Sequence, residues 1–132
     1  MSTFSFSLRG PSYNPLPKQS FRMGKRGGYT SARIKAWQDL VAVRAREAMN
    51  LQGQGRLTGL LLVEIWFWRS DGRRVDNDNL SKPVLDAMSK IVYVDDSQIV
   101  DKTTHKRYNK ANPGICVVIT EGELVGGDFV IA

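Results

Sequence analysis

Residues 73–101 read RRVDNDNLSKPVLDAMSKIVYVDDSQIVD. The stretch holds six of the chain's 13 acidic residues (Asp76, Asp78, Asp86, Asp95, Asp96 and Asp101), with Asp71 just upstream. Like charges this close repel, so the cluster needs counter-charge, either a divalent cation or the Lys and Arg residues beside it. The middle of the stretch has helical spacing, with Leu80, Val84, Met88 and Ile91 forming one apolar stripe. Asp76–Asn79 leads into that helix, and Pro83 is expected near its first turn, where a missing N–H costs least. Lys82, Asp86 and Lys90 share a face at i, i+4 spacing, so Asp86 can serve as a surface ion-pair partner. Tyr93-Val94-Asp95-Asp96 is a tight connection, and a strand is expected from Gln98 to Tyr108.

Downstream, Asn109–Gly114 is expected to turn the chain back into a final strand, Ile115–Thr120, with Cys116 as a small core residue. Residues 121–132 carry no clear signal and read as a flexible tail. Upstream, Asp71-Gly72 marks a turn. Before it, Leu61, Val63, Ile65 and Phe67 line one face of a strand, and Leu60, Leu62, Trp66 and Trp68 line the other, interrupted by Glu64. A strand apolar on both faces is central in a sheet or covered by a second subunit. Further back, Ile34, Trp37, Val41, Ala45, Ala48 and Met49 recur at helical spacing, with Thr30 or Ser31 as N-cap and Gly53 and Gly55 as breakers. Phe4, Phe6 and Leu8 alternate with Ser5 and Ser7, the pattern of a short strand with one apolar face. The order β-α-β-α-β-β predicts one α+β (α/β-like) domain over residues 1–132, a small mixed sheet with two main helices packed on it.

The chain has 132 residues, is 42% hydrophobic and contains three Trp, which suits a folded domain with a real core. No run of 18 apolar residues is present, so no transmembrane helix and no membrane partner are expected. The start MSTFSFSLRG lacks the basic and apolar parts of a signal peptide. A single cysteine, Cys116, excludes an internal disulfide and a thiolate metal cluster. A reducing, cytoplasmic setting is the simplest expectation.

Charge is divided unevenly. Residues 1–60 carry ten basic and two acidic residues, and residues 61–132 nine basic and eleven acidic. A basic half joined to an acidic cluster points to a polyanion held beside a metal site; the plainer reading is a solvated helix face bearing Arg33, Lys35, Arg44 and Arg46. Residues 10–30 form a loop rich in Gly and Pro, in which Lys18, Arg22, Lys25 and Arg26 interleave with Tyr13, Phe21 and Tyr29. Basic groups bind phosphates and aromatic rings stack on exposed bases, although a loop with chance basics has the same composition.

Asp76 and Asp78 are two residues apart, and in extended backbone both carboxylates point the same way, where they can share a hard cation such as Mg²⁺. The competing role is helix capping and turn formation. Asp96 lies one helix further on, and Lys82 sits where an ammonium can offset phosphate charge. An EF-hand starting at Asp76 fails, because Leu80, Ser81 and Ala87 stand at positions that need an oxygen ligand, Gly and Glu. The sole His105 has no partner for a zinc site, and no Walker or Gly-rich phosphate motif is present.

Taken together, Arg73-Arg74-Val75-Asp76-Asn77-Asp78-Asn79-Leu80-Ser81-Lys82, then Asp86-Ala87-Met88, then Val94-Asp95-Asp96-Ser97-Gln98-Ile99-Val100 resembles the RusA-type Holliday junction resolvases. The family pattern is basic residues, D-x-D-N-L-x-K, D-A-hydrophobic and D-D-x-Q-hydrophobic, and the motif positions show no departure from it. The resemblance is strong over residues 73–101 and compatible with nearly the whole chain. It implies a homodimeric, Mg²⁺-dependent endodeoxyribonuclease, with Mn²⁺ as a substitute ion. Such an enzyme would resolve four-way junction DNA by paired nicks in recombination and repair. By position it makes Asp76, Asp78 and Asp96 the metal-binding acids, Lys82 a catalytic basic residue and Asp95 an adjacent candidate. The expected DNA contacts are Lys18, Arg22, Lys25, Arg26, Arg73 and Arg74. The alternatives are a junction-binding module without catalysis, and a metal-dependent nuclease without junction preference.

Overall fold

The computed structural model describes residues 3–18 and 31–131. Two helices and a five-stranded mixed sheet follow the expected order: β1 (Thr3–Arg9), α1 (Ala32–Gln52), β2 (Leu60–Arg69), α2 (Asn77–Met88), β3 (Ile99–Tyr108), β4 (Gly114–Val125) and β5 (Asp128–Ile131). A one-turn 3-10 helix, Asp96–Gln98, precedes β3. The sheet order is β1-β4-β2-β3, with β5 paired to β4.

Alternation decides which side of the sheet is buried. Phe4, Phe6 and Leu8 of β1, Leu61, Val63, Ile65 and Phe67 of β2, and Ile115, Val117 and Ile119 of β4 all face one core. Trp37, Val41, Ala45 and Ala48 of α1 and Leu80, Val84, Leu85 and Met88 of α2 fill it from the same side. The other face of β2 is only half-buried, so Leu60, Leu62, Trp66 and Trp68 lie on an open sheet surface. There Trp66 stacks on His105 at 4.9 Å, and the Arg9 guanidinium lies 3.6 Å from the Trp68 ring centroid.

Three details depart from the sequence reading. First, β3 does not turn back onto β4: it pairs parallel to β2, and β2 separates the two. The polar β3 therefore takes an edge, where its lysines keep it from pairing further, and the apolar β4 goes to the interior. Second, residues 121–131 are not a loose tail, because β4 runs on to Val125 and Gly126-Gly127, both at positive φ, turn it into β5. Third, Pro83 is the seventh residue of α2 rather than in its first turn. It cannot bond the Asn79 carbonyl, and the backbone N–H of Lys18 takes that acceptor at 2.6 Å.

The caps are as the residue types require. Ser31 caps α1, its side chain accepting from the Ile34 N–H, and Gly53 closes the helix in the left-handed region at φ 62°. Gly114 is obligatory in another sense: a Cβ there would come within 2.0 Å of the Leu8 carbonyl oxygen.

Candidate active site

The acidic residues are spread over the start of α2, the 3-10 turn and the start of β3. Asp76 is the N-cap of α2, and its Oδ1 accepts from the Asp78 N–H at 2.9 Å. The backbone is extended only at Asp76; Asn77 and Asp78 are already helical. The alternating geometry expected for the pair is therefore absent, and Asp76 does the capping that its residue type favours. Asp78 lies in the first turn with its side chain 80% exposed, and its Oδ1 is 3.4 Å from Lys102 Nζ.

Lys82 lies one turn further along α2. Its Nζ is 3.0 Å from Asp86 Oδ1 and 3.9 Å from Asp96 Oδ2. The hydrogen bond to Asp86 is the main cause that holds the Lys82 pKa above the ordinary lysine value, against the opposing effect of burial. Lys82 is therefore a fixed positive charge at neutral pH.

Asp96 opens the 3-10 turn, and Tyr93 stands behind it. The Tyr93 ring is fully buried, with its hydroxyl 2.7 Å from the Leu85 carbonyl and 3.1 Å from Asp96 Oδ1. A phenol carries one hydrogen, so these two acceptors compete for it. Burial, and then the charge of Asp96, push the Tyr93 pKa far above the ordinary range, and the side chain stays neutral.

Asp95 is the N-cap of the 3-10 turn in a full capping box. Its carboxylate accepts from Ser97, chiefly through that hydrogen bond, and its pKa lies below the usual carboxylate range. Gln98 completes the box. Its Oε1 accepts from the Val94 and Asp95 N–H groups at 2.7 and 2.8 Å, while its Nε2 donates to the Leu57 and Gly59 carbonyls at 3.0 and 2.9 Å. One amide thus fixes the turn that carries Asp96 to the entry of β2.

Tyr93 and Lys102 were not singled out from sequence, and Gln98 only as the last polar letter of D-D-x-Q. Only Gln98 had a legible signal there, since Asp95-x-x-Gln98 has the spacing of a capping box. Lys102 reaches the site through a bulge. Leu61 pairs with Ile99 but Leu62 pairs with Asp101, so Val100 is the extra residue. The slip puts Lys102, opposite Val63, on the helix side of β3, where unbroken register would have put Asp101. Leu85, Asp96, Ile99, Val100, Asp101 and Lys102 line a shallow groove there.

The basic residues divide. Arg73 and Arg74 are exposed on the connection into α2, and Lys18 is exposed beside Asn79. Arg22, Lys25 and Arg26 lie outside the described residues. On α1, Lys35 pairs with Asp39 at 2.7 Å and Arg44 with Glu47 at 3.7 Å, so part of that helix's charge is a solvated, paired face.

The donor set of Asp76, Asp78 and Asp96 is all carboxylate oxygen, the chemistry that suits a hard divalent cation. Its placement is more open than that of a closed site. Among the described residues no three His, Cys, Asp or Glu side chains gather closely enough to hold an ion. Lysines neutralise Asp78 and Asp96 instead.

The sequence model described as endodeoxyribonuclease RusA matches residues 12–120. The crossover junction endodeoxyribonuclease RusA of Escherichia coli strain K12 is 33% identical over 102 residues, covering 76% of this chain and 80% of that protein. The protein of the same name from Escherichia coli O1:K1 matches to the same extent. The matched span takes in the capped start of α2, Lys82, the 3-10 turn that presents Asp96, and the sheet that brings them together, and on that span this chain belongs to the endodeoxyribonuclease RusA family.

Proposed function

We propose that this chain is a Mg²⁺-dependent, structure-selective endodeoxyribonuclease that resolves four-way DNA junctions by paired nicks in recombination and repair. One observation carries the reading. In a chain of this family, Lys102 of the groove that also holds Asp96 lies 3.4 Å from Asp78 of α2, and Lys82 lies 3.9 Å from Asp96. Carboxylates whose counter-charges are lysines can exchange those partners for a cation and a phosphate. Asp76, Asp78 and Asp96 are the residues that would hold the ion. The chemistry it would supply is activation of a water nucleophile and neutralisation of charge on the phosphate.

The chain's own residues have separate tasks. Lys82, held cationic by Asp86, stabilises negative charge that develops on the phosphate. Tyr93 and the Gln98 network set the direction of the Asp96 carboxylate. Arg73 and Arg74 supply sequence-independent contacts to the DNA backbone, as do the basic residues of the N-terminal loop. No helix of the described residues is long and apolar enough to cross a membrane. A homodimer is part of the proposal. Separating a junction takes two cuts on two-fold related strands, and the half-exposed β2 face offers an apolar surface for a two-fold contact.

The test compares a mobile four-way junction with linear duplex, with and without Mg²⁺. The wild type is expected to cut only the junction and only with the ion, and Asp78→Asn to bind the junction but not cut it. Normal cutting by Asp78→Asn would sink the assignment of the site. Equal cutting of duplex would favour a nuclease without junction preference, and binding without cutting a non-catalytic module.

A further inference from the structure

We infer that Lys102 is a second active-site cation and contacts the phosphate at the point of cleavage, an assignment that rests on the nuclease reading above. The register of β3 comes first. The bulge at Val100 turns Lys102 toward α2 and directs Asp101 to the opposite face of β3. A bulge beside a groove that also holds Asp96 re-aims one side chain, and the side chain it delivers is an ammonium.

The second step concerns how firmly each lysine is held. Lys82 has a close partner, Asp86 at 3.0 Å, and a second acid, Asp96, at 3.9 Å. Among the described residues Lys102 has one acidic partner, Asp78 at 3.4 Å, longer than the roughly 2.7–2.9 Å of a good charge-assisted bond, and Asp78 is largely exposed. The Ser81 hydroxyl, fully buried and donating to the Asp78 carbonyl at 3.1 Å, accepts from Lys102 at 3.3 Å and keeps the ammonium at the start of α2. Lys102 is thus positioned by a neutral group and only loosely engaged by a charged one. It can exchange Asp78 for a phosphate oxygen without moving far. Lys82 is tethered more closely, by Asp86, and has less freedom to follow a phosphate.

The third step is charge balance. A phosphodiester entering this groove meets the Asp96 carboxylate. Lys102 is the one cation in the groove wall among the described residues. Four residues on, the Lys106 ammonium reaches the Val75 carbonyl at 2.5 Å, just before the Asp76 cap. The two lysines and the positive end of the α2 dipole make a cationic track along one side of the acids.

Lys102→Met, Lys102→Arg and Lys106→Met are compared with wild type in two measurements. Junction affinity is measured against salt without divalent cation, and cleavage of the bound junction is measured in a single turnover. Lys102→Met is expected to lower the slope of log affinity on log salt by about one. It is also expected to slow the single-turnover step by about tenfold or more. Lys102→Arg restores the slope and part of the rate. Lys106→Met lowers the slope as the loss of one more cation of the track. An unchanged slope or an unchanged single-turnover rate in Lys102→Met overturns the inference, provided its thermal midpoint matches wild type. If Lys102→Met melts early, Lys102→Gln is put through the same two measurements and judged the same way. Wild type that binds junctions but cuts no DNA sinks the nuclease reading instead, and the salt slope then still decides whether Lys102 meets phosphate.

Discussion

Tyr93 ties the packing of α2 to the proposed site. Its hydroxyl bridges the end of α2, through Leu85, and the Asp96 carboxylate. Tyr93→Phe removes that bridge, but the Leu85 carbonyl keeps the Ser89 N–H at 3.0 Å. The expected stability loss is therefore at the lower end for a buried hydrogen bond, about 1 kcal/mol. Cleavage is expected to slow at unchanged junction affinity, because Asp96 loses the donor that directs it. The pH response follows from the raised pKa. Tyr93 contributes stability that is fully present below the ordinary tyrosine value of 10.0 and is lost as pH rises above it. Lys82, also raised, loses its contribution in the same direction above 10.5. Thermal melts across that range should show wild type falling in the alkaline limb and Tyr93→Phe falling less. Parallel curves would mean that the phenol is not the group responsible.

Among the elements, α2 carries most of the proposed site and has a proline inside it. Pro83 inside a helix ordinarily costs about 3 kcal/mol. Here the acceptor it strands, Asn79, holds the Lys18 N–H, while Arg69 donates to the Pro15 carbonyl and the Ser70 N–H donates to Asn14 Oδ1 at 2.9 Å. These bonds strap residues 14–18 across the end of β2 and the first turns of α2. Pro83→Ala supplies an N–H that competes for Asn79. Hydrogen exchange should then show the Lys18 amide losing protection by about tenfold or more, with the α2 amides unchanged or slower. A Lys18 amide equally protected in both proteins would show that the strap does not depend on the proline.

For the molecule as a whole, the open sheet face is the feature that the single chain leaves unexplained. Sedimentation at micromolar concentration is expected to give a dimer with and without DNA, and a monomer in both would contradict the two-site scheme. Mixing wild-type and Asp78→Asn chains carries the test to mechanism. A verified heterodimer should nick one strand of a junction and fail to release paired linear duplexes. Full resolution by that heterodimer would show that one site makes both cuts.

The sequence alone determined what local chemistry can determine. Apolar spacing placed both helices and β1 and β2 to within a few residues, since each buries one face against a core. Ser31 and Gly53 were legible as caps because their side chains, or the lack of one, act within a turn. The D-x-D-N-L-x-K and D-D-x-Q runs identified the family because their order and spacing are themselves the signal. Neighbours distant along the chain were not legible. That β2 separates β3 from β4 is a choice among pairings which alternation alone does not rank. The tail became β4 and β5 because an edge was available to accept it. Lys102 is the sharpest case. Strict alternation from Ile99 puts Asp101 beside α2, and a one-residue slip at Val100 reverses the two. That slip is decided by how β3 docks on β2, where side chains alternate with a period of two and a single extra residue exchanges an acid for a base.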